Sequence, residues 1–560
     1  MIVGWLGLCT YRALQAYHQL RDATAQAQQL RSHLSTRDLT TGGATPQLRH
    51  AAAEFHDAHA TLDGALFAPL RVVPIVGRQL TSAIDLSGGA GRVASDGVDA
   101  LDRVHTLLNA PHDTPPLRAQ VVAQLATVVT GLNNEVHDVH LGPSTALIGA
   151  LAAKRNTFAS ELGKLQNQLN RAQGATVAMA ELMRGPRTYL VFSANNAEMR
   201  AGSGMFLSVG TLTAHDGTLA LSSFTPTSAL TFATAPVPLT GDLAKLWGFA
   251  EPNREFRNLA LSPQFPTNAE LAAQMWQART GQHVDGVLVL DVGALSDILS
   301  AIGPISANGQ TFDATSIVPY LLNGQYQDLS STETAQADRH QRDGDLAAAA
   351  FRQLSAGGTG LGSLGSALES AANGRHILVW SPEATTEANW QAAGVGGLVG
   401  PREVLLSVLN QGANKLDPFL AVSARMSFAS QRATTTVTVT VTVTNGTPAG
   451  QPDYVTGDAG NPPVSGTYQG AVELDLPGTA GDQQVAGNPP LTAAGPDGQS
   501  YAIAVPIQLR SGQSATITYH FTVGAGHGSL QIDPSARMPG TTWTVGSKIF
   551  TDVNAHLVNW

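Results

Sequence analysis

The apolar positions change their period twice along the chain. From 11 to 182 they recur at spacings of three and four: Leu117, Val121, Leu125, Val128, Leu132 and Val136 form one stripe, Leu147, Leu151, Phe158, Leu162, Leu165 and Leu169 another. Such spacing puts each set on one face of a helix, so the region predicts four or five helices packed as an elongated bundle or stalk. Pro69, Pro74 and Gly77 in APLRVVPIVGRQ, then Gly88 and Gly89, then Pro111, Pro115 and Pro116 read as the turns between them.

Past Gly185-Pro186 the runs shorten. Thr188 to Phe192 (TYLVF) predicts a buried strand, and Met205 to Thr213 and Leu219 to Phe224 flank Asp216-Gly217, a hairpin signal. Val284 to Asp291 (VDGVLVLD) predicts another strand with a helix over 294–301 behind it, and His376 to Trp380 (HILVW) a further one. Helical spacing recurs at 267–280, 335–354 and 401–410. Strands interleaved with helices predict an α/β or α+β domain over about 185–420. Thr436 to Thr444 (TVTVTVTVT) then alternates at period two, valines to one face and threonines to the other, with Asn445-Gly446 as a turn. Further strands are expected at 470–476, 501–509, 515–523 and 543–550, which together predict a β-sandwich. The expected fold is therefore multi-domain: an N-terminal α-helical bundle over 13–184, a central α/β domain over 185–420 and a C-terminal all-β sandwich over 421–560.

Residues 1–12 are read as the end of a membrane anchor. Ile2 to Cys9 reads IVGWLGLC and Arg12 follows at once. This run is short of the about 20 residues a spanning helix needs, and neither a basic leader nor a small-residue cleavage site marks a signal peptide. Two readings stand: the outer end of a transmembrane helix whose upstream half lies outside this sequence, which we prefer, or an apolar helix start docked on the protein.

Composition narrows the classes. Hydrophobic residues make up 43% of the 560, enough for real cores, while charged residues are only 13%, so the surface must be largely Thr, Ser, Gln, Ala and Gly. A net charge of −10 argues against a general nucleic-acid binder. The 27 arginines against five lysines fit a GC-rich genome. Cys9 is the only cysteine, which excludes an internal disulfide and a cysteine-based zinc site.

Several motifs carry little. Gly360, Gly362 and Gly365 match the spacing of a dinucleotide fingerprint, but no predicted strand precedes them. His56 with His59, and His137 with His140, have helical metal-ligand spacing but read as polar helix surface. Neither a nucleophile elbow nor a P-loop is present. The informative segment is NNAEMRAGSG at 195–204, placed after a buried strand and holding Glu198 and Arg200. Strand ends are where α/β sheets bind ligands; a tight turn with a structural Glu198–Arg200 contact accounts for the same residues.

At this segment the chain resembles the actinobacterial and related bacterial proteins of domain-of-unknown-function family four-zero-one-two. NNAEMRAGSG is similar to that family's N-x-x-E-x-R-x-x-G-G hallmark, with Ser203 at a glycine position. NLALSPQFP at 258–266, VDGV at 284–287 through Gly303-Pro304, and GANKLD at 412–417 resemble three further blocks, and PLRVVPIVGRQL at 69–80 the family's helical lead-in. The resemblance spans about 69–420 and implies a single-pass membrane protein with its bulk outside the cell membrane. A more distant likeness is to the LytR-CpsA-Psr envelope phosphotransferases, which move glycopolymers from polyprenyl-pyrophosphate carriers: VDGVLVLDVGALSDILSAIGPI, then Asp338-Arg339-His-Gln-Arg342, stand in that family's order. Its R-x-D and P-R-D blocks are not evident here.

The chemistry this likeness implies needs arginines, because guanidinium forks bind pyrophosphate best. Arg200, Arg339 and Arg342, joined by Arg254 or Arg257, are the candidate anion-binding set, with Glu198 and Asp291 as supporting carboxylates and Mg2+ as the metal such transfer commonly uses. The alternative is that these arginines form ordinary ion pairs. Two functions follow: an extracytoplasmic envelope protein that binds or transfers a lipid-linked, phosphate-bearing glycopolymer, or a non-catalytic structural or scaffolding envelope protein. The sequence alone does not establish a catalytic activity.

Overall fold

The computed structural model describes residues 2–33, 42–111, 113–327, 333–459 and 463–560. The chain divides into two compact units, Met1–Arg184 with Gly360–Ser363, and Gly185–Thr359 with Leu364–Trp560.

The first unit is helical: α1 (Ile2–His33), α2 (Thr45–Asp63), α3 (Pro74–Leu108), α4 (Pro115–His137) and α5 (Gly149–Arg184). Of the expected anchor end at 1–12, the described residues from Ile2 onward form the first turns of α1, and among the described residues no helix is long and apolar enough to cross a membrane. The core is a series of small clusters. Cys9, Ala16, Leu62, Leu80 and Ile84 form one, Ala23, Phe55, Ala90 and Ala94 the next, and Val136, Leu162 and Leu169 a third. Gly88 and Gly89, expected at a turn, lie inside α3. They serve close packing instead: a Cβ at Gly88 would sit 2.9 Å from the His59 ring, and one at Gly91 3.1 Å from His56. The histidines of α2 thus lie over the glycine face of α3.

The second unit has three layers. A mixed sheet holds, in order, β3 (Thr218–Leu221), β2 (Gly204–His215), β1 (Arg187–Met199), β4 (Gly286–Leu290) and β5 (Ile377–Trp380). Only the β1–β4 pair is parallel within that order. Asp216 and Gly217 make the expected hairpin turn, both at positive φ (46 and 76°). Helices α6 (Gly241–Trp247), α7 (Phe265–Thr280), α8 (Val292–Ile302), α9 (Glu333–Ser355), α10 (Leu361–Asn373) and α11 (Ala384–Ala393) accompany the sheet.

Two six-stranded sheets follow. The strands are β6 (Glu403–Asn410), β7 (Leu420–Ser430), β8 (Thr434–Asn445), β9 (Tyr468–Pro477), β10 (Gly481–Val485), β11 (Ala493–Asp497), β12 (Ser500–Leu509), β13 (Ser514–Gly524), β14 (Ser529–Asp533), β15 (Thr542–Val545), β16 (Lys548–Thr551) and β17 (His556–Asn559). One sheet runs β10-β13-β8-β7-β15-β16, the other β11-β12-β9-β6-β14-β17. Val437, Val439, Val441 and Val443 point into the sandwich core, where Val404, Leu406 and Val408 meet them. The helix expected over 401–410 is therefore strand β6. Its run EVLLSVLN is apolar on both sides because both faces are covered: the even positions enter the sandwich core, while Leu409, with Ala471, Ala502 and Ala504, joins Leu190, Phe192, Trp247 and Phe265 of the mixed-sheet layer. A strand buried on both faces loses its alternation, and periodicity cannot then tell it from a helix.

Candidate functional site

The segment at 195–204, expected to follow the strand, is strand as far as Met199 and a tight turn over 200–203, closed by Arg200 N donating to the Ser203 carbonyl at 2.8 Å. Strand β1 continues through Asn195, Asn196, Glu198 and Met199, its register with β2 shifting at Ser193/Ala194 and again between Asn195 and Met199. Such a bulge re-aims side chains within a strand. Here it brings polar groups into the interior, where each needs a partner.

Asn195 Nδ2 donates to the Tyr326 hydroxyl at 2.7 Å, and its Oδ1 accepts from Ala197 N at 2.9 Å. Asn196 Nδ2 donates to Asp291 Oδ2 at 2.7 Å and to the Ala536 carbonyl at 2.8 Å; its Oδ1 accepts from Val292 N at 3.0 Å. Asp291 also caps α8, accepting from Ala294 N at 3.0 Å, and meets His376 Nδ1 at 2.9 Å. Burial alone would depress the His376 imidazole, but the Asp291 carboxylate, with Asp297 and Asp552 beyond it, outweighs burial and holds it above its ordinary value.

Glu198 pairs with Lys415 at 2.6 Å, both nearly buried, and the Lys415 ammonium lies 4.9 Å from the Tyr454 ring and 5.6 Å from that of Tyr326. Arg200 Nη1 donates to the Met199 carbonyl at 3.2 Å and to the Asn410 carbonyl. Its guanidinium is fully internal; burial disfavours its charged form, while Glu198 and Asp417 oppose that effect. Asp417 is the hub. It accepts from Met199 N (3.1 Å), Asn410 Nδ2 (2.8 Å), the Tyr468 hydroxyl (3.2 Å) and Arg537 Nη1 (3.1 Å). Burial pushes the Asp417 carboxyl up, and Arg537 works against that rise.

The other blocks also make contacts within the second unit, those of Asp285 being half-buried. Ser262 Oγ donates to Asp497 at 2.6 Å, and Gln264 Nε2 to the Asp497 carbonyl at 2.9 Å and to Ser500 Oγ at 3.2 Å. Asp285 accepts from Thr188 N at 2.7 Å. Asn414 donates to the Thr467 carbonyl at 3.0 Å. Arg375 Nη2 donates to the carbonyls of Pro263 and Gly397. The blocks at 195–204, 258–266 and 412–417 thus meet where the mixed-sheet layer joins the sandwich, while Asp285 stays within the mixed-sheet layer.

Among the described residues, the predicted arginines do not form a common set of open guanidinium groups. Arg200 is bound to backbone carbonyls, with Arg257 near enough to lower its pKa further. Arg254 pairs with Glu251 at 2.7 Å and Arg257 with Glu255, the ordinary ion-pair alternative. Arg342 is half-buried on α9, its carbonyl accepting from Asn308 at 3.4 Å. The Arg339 side chain lies outside the described residues. Glu198 and Asp291 do not fit a Mg2+ site, because Lys415 holds the first and Asn196, His376 and the α8 N-terminus occupy the second. Among the described residues no group of three His, Cys, Asp or Glu is placed to hold a metal ion.

Sequence reasoning quoted Lys415 and Asp417 within a block without giving either a role. It did not single out Tyr326, His376, Tyr468 or Arg537. Arg537 stands alone in SARMPG, so nothing local marks it. No curated protein matches the chain. Residues 184–326, which carry β1, β2, β4 and α8 and hence three of the four quoted blocks, match the family described as protein of unknown function (DUF4012), the family the NNAEMRAGSG segment resembles.

Proposed function

We propose that this chain is a non-catalytic structural protein of the bacterial cell envelope, attached to the cell membrane through α1 and carrying its bulk outside. The observation that supports this reading is how the block residues are used. Asn196, Glu198, Arg200, Asp291, Lys415 and Asp417 are all engaged inside the second unit. A transfer site needs groups left open toward substrate and able to meet charge that develops there. Groups bound to one another in the folded protein instead hold two layers in a fixed relation, which suits a spacer or scaffold that presents a surface to partners.

The competing reading is a binder or phosphotransferase acting on a lipid-linked, phosphate-bearing glycopolymer, with Arg339 and Arg342 of α9 as its anion-binding groups. Titrating the full chain with a polyprenyl pyrophosphate separates the two. The scaffold reading expects no saturable binding with or without Mg2+. Saturable binding that weakens about tenfold or more in Arg342→Ala, the loss of one charge-assisted contact, would overturn it. Location has its own check: protease added to wall-stripped, intact cells should digest the second unit, and protection until lysis would refute the envelope placement.

A further inference from the structure

We propose that the end of the first unit formed by residues 71–78 is a lipid-docking surface that seats on anionic phospholipid headgroups. The proposal rests on the envelope reading for the presence of a membrane beside the protein, and adds the surface that meets it.

Among the described residues of the helical unit, the two most exposed large apolar side chains lie in this turn, and Leu8, Tyr11, Leu14 and Tyr17 of α1 are exposed as well. Val72 is 83% exposed and Ile75 72%, with Val73 at 40% and Val76 at 43% between and beside them. Ile148, 59% exposed, is drawn to the same place by Gln79, which donates to the Ala146 carbonyl at 2.8 Å and accepts from Ile148 N at 2.9 Å. Contiguous apolar surface of this kind marks a partner or a membrane.

The turn that presents these residues is stiff. Pro74 opens α3 with its φ already set for the helix. Gly77 lies so close to the Arg71 carbonyl that no Cβ fits between them. The Arg71 guanidinium is tied to the Asp63 carbonyl at 2.6 Å and to its carboxylate at 2.5 Å. The apolar side chains are therefore held outward by a preset turn, and little further ordering is needed when they dock.

Two observations select lipid as the occupant. First, Arg71 and Arg78 bracket the apolar positions; Arg71 is paired with Asp63, Arg78 is exposed, and no Asp or Glu lies between Asp63 and Asp85. Apolar side chains beside an exposed arginine suit a headgroup boundary, where the apolar parts sink about 5–10 Å and a guanidinium such as that of Arg78 stays at phosphate level. Second, the apolar run Ile2–Cys9 starts α1 at the same end: Trp5 Nε1 donates to the Leu66 carbonyl at 3.2 Å and Cys9 Sγ lies 3.8 Å from it, just before the turn. One end of the unit thus carries both the most apolar helix start and the most exposed apolar turn.

The test is flotation of the full chain with vesicles of phosphatidylcholine, with and without phosphatidylglycerol. The wild type should float with the phosphatidylglycerol vesicles and release as salt is raised. The double variant Val72→Ser, Ile75→Ser should keep the wild-type circular dichroism and melting, since both side chains face solvent, and should bind about tenfold or more weakly. Equal binding by the wild type and that variant overturns the proposal. If Leu8→Ser abolishes binding while the double variant retains it, attachment through α1 stands and the tip plays no part. A wild type that binds neither vesicle but self-associates, with the double variant monomeric, would make this surface a protein interface and also end the proposal.

Discussion

A buried charge is tolerated only when its partners replace water, and removing one partner of a buried ion pair costs about 3–5 kcal/mol. Glu198 with Lys415 and Asp417 with Arg537 meet that condition. The acids on the mixed-sheet side of β9, β6 and β14 meet it less fully. Asp475, Leu405 and Asp533 form one cross-strand row, with Glu473 next to Asp475 on the same face. Neither carboxylate oxygen of Glu473 has a hydrogen-bond partner, and Arg375 is the cation that Asp475 and Asp533 share. Burial pushes Asp533 up to about 8, with Glu403 adding to the rise and Arg375 opposing it, and pushes Asp497 up to about 6. Glu473 and Asp475 also lie well above the ordinary range. Each folded value exceeds that of an unfolded carboxyl, about 4. The stability these groups support is therefore complete below about pH 4 and lost as pH rises through about 6 and then about 8. The melting temperature should fall from about pH 5 to about pH 9, and Asp533→Asn should flatten the upper part of that fall. An unchanged slope in the variant would show that Asp533 does not carry it.

At the scale of elements, legibility in the sequence followed how much water each face meets. Strand β8 was plain in TVTVTVTVT because one face is core and the other is a threonine surface. The hairpin at Asp216-Gly217 was plain because its backbone needs residues that tolerate positive φ. Strand β6 reads as a helix in the sequence because both of its faces are covered, and the polar end of β1 reads as lying beyond the strand because its partners come from residues more than 90 positions away. The glycines of α3 were read as a turn because glycine breaks helices in isolation, whereas here it admits a neighbouring helix. Of the candidate site, the segment itself was legible; the partners that neutralise it were not, since long-range pairing leaves no local trace. Gly77 tests the close-packing argument directly. A Cβ there would meet the Arg71 carbonyl, whose carbon would be 2.8 Å away. Gly77→Ala should therefore destabilise the first unit by about 1–3 kcal/mol, the range for forced overpacking. Melting indistinguishable from wild type would mean the turn opens at no cost.

For the whole molecule, the decisive fact is that the mixed-sheet layer and one sandwich sheet pack into a common core. Strand β6 sits between β9 and β14 in the middle of its sheet, with three strands on one side and two on the other. Its residues enter the sandwich core on one face and the mixed-sheet core on the other. Asp417 and Lys415, just after it, bind Met199 and Glu198 of β1, and Arg537, far along the chain, closes the same junction. A chain cut at the boundary expected between the central and β regions would lose β6, expose the facing edges of β9 and β14, and leave Arg537 buried without Asp417. Open edges of that kind favour aggregation over folding. Residues 421–560 expressed alone should therefore be insoluble or lack a cooperative melt, whereas 185–560 should give one cooperative transition. A monomeric 421–560 fragment with its own sharp transition would show that the sandwich is complete without β6, and that the buried junction serves something other than holding the two layers together.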